Sequence, residues 1–141
     1  AGGGGVGGAG HDRHPAIGAG QRAKNPPGSG KALELAKLVS ATTAALPIHE
    51  RFGLTSQMRR AAVSIGSNIA EGCGRRGDRE LVAYLYIAMG STSELEFQLE
   101  LAVQLDYLEV ASSTAVLQAT QEVKRMLSRL ILSLREKRRP A

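Results

Sequence analysis

Residues 54–80 read LTSQMRRAAVSIGSNIAEGCGRRGDRE, and two incompatible folds compete for them. Gly72, Gly74 and Gly77 carry the G-x-G-x-x-G spacing of a dinucleotide-binding turn. Such a turn works only when a strand leads into it and a helix leaves it inside a βαβ unit, with an acidic residue about twenty positions on. The residues before it follow a helical rhythm instead, with Met58, Ala61, Ala62, Ile65 and Ile69 recurring at three and four. The stretch is therefore a helix closed by a glycine-rich corner. Its three glycines are expected to supply positive-φ freedom, Thr55 or Ser56 to cap the helix before them and Asp78 the helix after them. Cys73 reads as a small apolar plug, since no histidine stands at a spacing that would activate it as a thiolate.

Outward from this corner the same periodicity continues. In KALELAKLVSATTAAL, residues 31–46, Leu35, Leu38, Val39, Thr42 and Leu46 mark a first helix that Pro47 stops. A third helix is expected from Arg79 to about Asp106, and a fourth carries Val116, Thr120, Val123, Leu127, Leu130 and Leu134 at heptad-like spacing. Four helices with short connections predict an all-α, antiparallel up-down-up-down four-helix bundle over residues 31–139. Residues 1–30 hold eleven glycines and little apolar periodicity, and read as a flexible tail that buries too little surface to offset the entropy of ordering. His11 and His14 lie in this tail without further ligands in reach, so no metal is expected there.

Composition agrees with one helical domain. The chain has 141 residues, 43% of them hydrophobic and only 4% aromatic, enough for a single core and poor in strand formers. A lone cysteine excludes an internal disulfide framework, and no apolar run reaches the ~20 residues of a membrane span, so a cytoplasmic protein with no membrane partner is expected. The net charge of +5 is unevenly spread: residues 79–110 carry six acidic and one basic side chain, whereas residues 111–141 carry seven basic and two acidic. That alternation suits neighbouring helices that attract each other, or an assembly with one acidic and one basic surface.

Two patterns go beyond a simple bundle. Gln57, Ser64, Asn68 and Glu71 form a polar row along one side of the second helix, bordering its apolar side and continued by Arg60. With no histidine or lysine in register, the row is expected to fix helix register and tie down the corner rather than perform catalysis. On the third helix, Leu81, Ala88, Leu95 and Leu99 make one apolar stripe, with Tyr84, Leu85 and Ala102 beside it. Ala83, Ile87, Gly90, Phe97 and Leu101 make a second on another side. A monomeric bundle needs only the first, so the second is expected to be a subunit interface.

The runs RFGLTSQMRRAAVSIGSNIAEG and YLYIAMGSTSELEFQLELAVQLDYL closely resemble the bacterial four-helix bundle family first noticed as reading frames inside intervening sequences of large-subunit ribosomal RNA genes. The resemblance spans Lys31 to Leu134, and LTSQMRRAAVSI, SNIAEG and IAMGSTSEL are its most specific elements. It implies a homopentameric ring or barrel without catalytic activity, and the residues themselves give no reason to expect a cofactor or metal. In fold the family is also similar to the accessory protein of diversity-generating retroelements, which binds nucleic acid and works with a reverse transcriptase. Two function classes follow. In one, the ring binds RNA or DNA without sequence preference through Arg59, Arg60, Arg75, Arg76, Arg129, Arg135, Lys137, Arg138 and Arg139. In the other, it is a structural adaptor that recruits a reverse transcriptase or another protein and binds no nucleic acid.

Overall fold

The computed structural model describes residues 26–138; His11, His14, Arg139 and most of the expected tail lie outside them. Among the described residues the chain forms four α-helices and no strand: α1 Ser29–Thr43, α2 Leu54–Cys73, α3 Asp78–Gln104 and α4 Val110–Lys137, with one 3-10 turn at Ile48–Glu50. The expected first and third helices each begin within two residues of the observed start.

Every helix contributes one line of side chains to a common core. Leu35 and Val39 come from α1, Met58, Ile65 and Ile69 from α2, Leu85, Leu95 and Leu99 from α3, and Val116, Val123 and Leu127 from α4, each essentially closed to solvent. A buried side chain of this kind contributes about 1.5–3 kcal/mol relative to leaving it in water. The packing order follows the chain, with α2 against α3, α3 against α4, α1 against α2 and α1 against α4, while the backbones of the diagonal pairs, α1 with α3 and α2 with α4, stay apart across the core. On α4 the buried line runs through Ile131, and the expected Leu130 and Leu134 are only partly covered. A straight helix drifts about 20° per heptad, which moves the core line off a strict seven-residue repeat. On α1 the same refinement puts Thr43 rather than Thr42 inside.

The helix ends correct three local expectations. Neither Thr55 nor Ser56 caps α2; the Leu54 amide instead donates to Glu50 Oε2 at 3.3 Å, so the carboxylate of the preceding turn takes the capping role and Thr55 is buried in the first turn. Asp78 is not the cap of α3 but its first residue, where its charge and that of Glu80 favour the positive end of the helix dipole. The cap position belongs to Gly77, at φ 105 and ψ 164, and it alone of the three corner glycines has positive φ. Gly74 is in ordinary right-handed geometry. Gly72 lies inside α2, where a Cβ would stand 2.7 Å from the Cβ of Tyr84 and 3.0 Å from Leu81 Cδ1. Its requirement is close approach of α3, not backbone freedom.

The other end of α3 closes on Asp106, a non-glycine at φ 61. The Tyr107 amide donates to the Ala102 carbonyl at 2.9 Å and the Asp106 amide to that of Val103 at 3.0 Å, the paired bonds of a Schellman ending. An L-residue there bears left-handed strain of order 1–2 kcal/mol, less for Asp. Asp106→Gly should therefore gain about 0.5 kcal/mol in chemical denaturation, after the added entropy of the unfolded chain is offset.

Candidate functional site

The polar row of α2 meets a matching set on α3. Asn68 Nδ2 donates to Ser64 Oγ at 3.0 Å and to the Ser64 carbonyl at 2.8 Å, and Ser64 Oγ lies 3.0 Å from Ser91 Oγ. Ser91 in turn donates to the Ile87 carbonyl at 3.4 Å. With Asn68 supplying one proton and Ser91 spending its own on Ile87, the Ser64 hydroxyl donates to Ser91. The bonds then run in one direction from α2 to α3. A serine committed in this way has no base to activate it, and its geometry is that of a register pin. Further along, Glu71 Oε1 accepts from Arg75 Nη2 at 2.7 Å and from Tyr84 Oη at 3.3 Å, tying the corner to both helices. Gln57, Arg60, Ala61 and Ser64 with Glu94 of α3 line an open polar cleft of about 380 Å³. At the floor of this seam Gln98 Nε2 donates to Glu94 Oε1 at 3.2 Å, while Gln98 Oε1 is buried without a partner. Ser91, Glu94, Gln98 and Tyr84 join a row that the α2 pattern alone shows only in half.

Three of the arginines singled out in the sequence are already engaged. Arg59 Nε donates to Thr43 Oγ1 at 2.9 Å and Nη2 to the Ser40 carbonyl at 3.2 Å, placing its charge on the open carbonyl end of α1. Arg75 pairs with Glu71 and lies 5.2 Å from the centre of the Tyr84 ring; the hydrogen bond to Glu71, reinforced by Tyr84, holds its pKa above the usual guanidinium value. Arg135 Nη1 donates to Tyr86 Oη at 3.0 Å. This last bond joins the end of α4 to the beginning of α3, so Arg135, Lys137 and Arg138 stand at the same end of the bundle as Arg75 and Arg76. Arg60, Arg76, Arg129, Lys137 and Arg138 are exposed. Arg129 shares the outer face of α4 with Gln121, Lys124, Arg125 and Ser128 around a shallow cleft. Arg125 stands four residues before Arg129 on the same face, a spacing legible in the sequence but less conspicuous than the denser charge run at the chain end.

Cys73 is half-buried against the core, and burial pushes its thiol pKa up, which keeps it protonated and unreactive. Lys124 Nζ lies 3.3 Å from Glu96, a contact between the acidic and basic helices of the sequence pattern. Exposed pairs of this kind contribute at most about 1 kcal/mol. Among the described residues no cluster of three or more His, Cys, Asp or Glu is placed to hold a metal. No described helix is long and apolar enough to cross a membrane.

The second stripe of α3 lies in the open. Ala83 and Gly90 are exposed, as are Ile87 at 53%, Phe97 at 66% and Leu101 at 37% of their accessible surface. A Cβ added to Gly90 would meet nothing within 4 Å. The stripe borders the polar seam on its Glu94 side, so one surface carries both.

The model of the family described as 23S rRNA-intervening sequence protein matches residues 29–129. A crystal structure of a protein of unknown function from the S23 ribosomal protein family of Bacteroides thetaiotaomicron is similar with a TM-score of 0.68. The two are 25% identical, over 73% of this chain and 93% of that one. No curated protein matches the sequence.

Proposed function

The chain belongs to the 23S rRNA-intervening sequence protein family, and from that premise we propose that it is a non-enzymatic ring protein, a homopentamer of antiparallel up-down-up-down bundles whose repeated basic surface holds RNA or DNA by its backbone. Residue pairings favour the antiparallel course. Ser64 meets Ser91 while Gly72 meets Tyr84, Glu96 meets Lys124 while Tyr86 meets Arg135, and Arg59 meets Thr43 while Gly66 meets Ala32.

Assembly rests above all on Gly90. A glycine in the middle of an exposed helix costs about 0.8–1 kcal/mol relative to alanine, and nothing inside the bundle requires one here. Close approach of a second chain does require one, and the exposed Ile87, Phe97 and Leu101 on the same side give that chain an apolar surface to cover. Five copies would then multiply the exposed charges of Arg60, Arg76, Arg125, Arg129, Lys137 and Arg138, while Arg59, Arg75 and Arg135 keep structural duties. Phosphate contacts of this kind are indifferent to sequence and steep in salt.

Mobility shifts with a structured RNA and a duplex DNA over a salt series test the binding. Affinity should fall log-linearly with salt, and removing Arg125 and Arg129 together should flatten the duplex slope by about 0.9 for each phosphate that is no longer neutralised. Absence of any shift at low salt sinks the nucleic-acid reading. The adaptor reading would then take its place. Ile48 and Phe52 before α2, with Leu105 just after α3 and Val110 at the start of α4, are exposed apolar side chains that favour a protein partner such as a reverse transcriptase.

A further inference from the structure

The two longest helices, α3 and α4, leave a groove between them toward the end of the bundle away from the glycine corner. It encloses about 540 Å³, and Leu99 and Val103 of α3 with Leu117 of α4 form its floor. Leu99 belongs to the core, while Val103 and Leu117 are only partly covered, so the floor is apolar and open to solvent. Its two walls differ. The α3 wall carries Glu96 and Glu100, the only charged side chains lining the groove among the described residues, whereas the α4 wall carries the neutral Ser113 and Gln121. Lys124 engages Glu96 at 3.3 Å. Glu100 is exposed and has no ion-pair partner among the described residues. The turn between α3 and α4 adds exposed Asp106 and Glu109 beyond the groove, so the negative charge continues there.

We propose that this groove receives an amphipathic helix of a different protein, with apolar side chains on the groove floor and lysines or arginines on the flank that lies against α3. The occupant is helical because the backbones of α3 and α4 along the groove are spent within their own helices, which leaves no edge for a strand to extend. A segment entering an apolar hollow must satisfy its own backbone, and a helix does so. Its basic flank follows from the walls, since Glu100 is available on one side and nothing charged stands on the other. From Glu96 to Gln104 the groove follows α3 for about 12 Å, room for two turns and for anchors at i, i+3 or i+4, and i+7. Phosphates would face Glu96 and Glu100 here, so nucleic acid is a poor occupant. A second copy lacks the required helix. Among the described residues α1 and α2 expose one large apolar side chain each, Leu33 and Val63, and α4 exposes Val110 and Leu132 about six turns apart. Only α3 has a row of them, and its segment, residues 79–110, carries six acidic side chains against one basic.

The test is fluorescence anisotropy of the full chain with labelled peptides of about 15 residues, near the shortest length at which an isolated helix is populated. The peptides carry leucine at i, i+4 and i+7, lysines along one flank in differing registers, and alanine elsewhere. At least one should bind saturably at one peptide per chain, and Glu100→Lys should weaken it about tenfold, because an attraction becomes a repulsion. The same reversal at Glu80, near the other end of α3, should leave the binding at wild-type strength. Peptides with glutamate for lysine, or with the lysines and no leucine, should not bind. No saturable binding by any leucine-lysine peptide overturns the proposal. Equal weakening by Glu80→Lys overturns it too, since it would show general attraction to an acidic helix. Light scattering should give Glu100→Lys the wild-type mass, and a lower mass would put another copy of the chain in the groove and overturn the assignment to a different protein. If Glu100→Lys loses its helical circular dichroism, Glu100→Gln takes its place, with about threefold weakening expected and unchanged binding overturning the proposal.

Discussion

Gly72→Ala should destabilise the fold by about 1–3 kcal/mol, although the same change elsewhere in a helix stabilises it. The new methyl would stand 2.7 Å from Tyr84 Cβ and 3.0 Å from Leu81 Cδ1. The Leu81 side chain can yield by rotation, but a Cβ moves only with its backbone, so α3 must shift away from the end of α2. That shift also pulls Tyr84 from Glu71 and loosens the corner that Arg75 and Glu71 hold. Gly90→Ala is the matched comparison. With open space around its Cβ it should gain the helix-propensity difference of about 0.8–1 kcal/mol under conditions where the chain is monomeric. For a domain of this size each kcal/mol moves the melting midpoint by roughly 4 °C. Thermal unfolding of the two variants should therefore move in opposite directions. A stabilised Gly72→Ala would show that the corner closes less tightly than its distances imply.

Gly72 and Gly77 also show where the sequence stops informing. That the segment before Gly72 is a helix, and that the glycines end it, follows from the spacing of Met58, Ala61, Ala62, Ile65 and Ile69. Why each glycine is there does not, because positive φ and close approach select the same residue type. Gly77 needs the first and Gly72 the second, and only the position of Tyr84 separates them. The caps were illegible for a related reason. Thr55 and Ser56 have the right chemistry for an N-cap, but Glu50 reaches the Leu54 amide from across the 3-10 turn, a geometry that no local motif encodes.

The polar row was half legible. Its α2 members share a helix face at i, i+4 and i+7, whereas Ser91, Tyr84 and Gln98 enter only through the register of α3 against α2, which the whole core sets. For the arginines the sequence gives charge but not occupancy. Arg59, Arg75 and Arg135 look as free as Arg76 until Thr43, Glu71 and Tyr86 are seen beside them.

The largest effect is expected at Phe97. Light scattering of the wild-type chain should return about five times the 14.9 kDa chain mass, and Phe97→Glu should return one. Covering an aromatic side chain contributes about 1.5–3 kcal/mol, and forcing a carboxylate into the same apolar contact adds a desolvation penalty of several kcal/mol. A combined loss near 4 kcal/mol weakens each subunit contact about a thousandfold. In a ring of identical copies every subunit brings the same stripe to a contact, so the substitution damages every interface at once. The single subunit should be nearly indifferent, because Phe97 is 66% exposed and lies outside the buried line of Leu95, Leu99 and Ala102. Dissociation with helical content and melting cooperativity retained is therefore the diagnostic combination, and Ile87→Glu, one heptad and one turn earlier on the same stripe, should reproduce it. A Phe97→Glu chain of unchanged mass would mean that the assembly uses another face. Loss of helical content along with mass would mean that Phe97 supports the bundle itself, in conflict with its exposure.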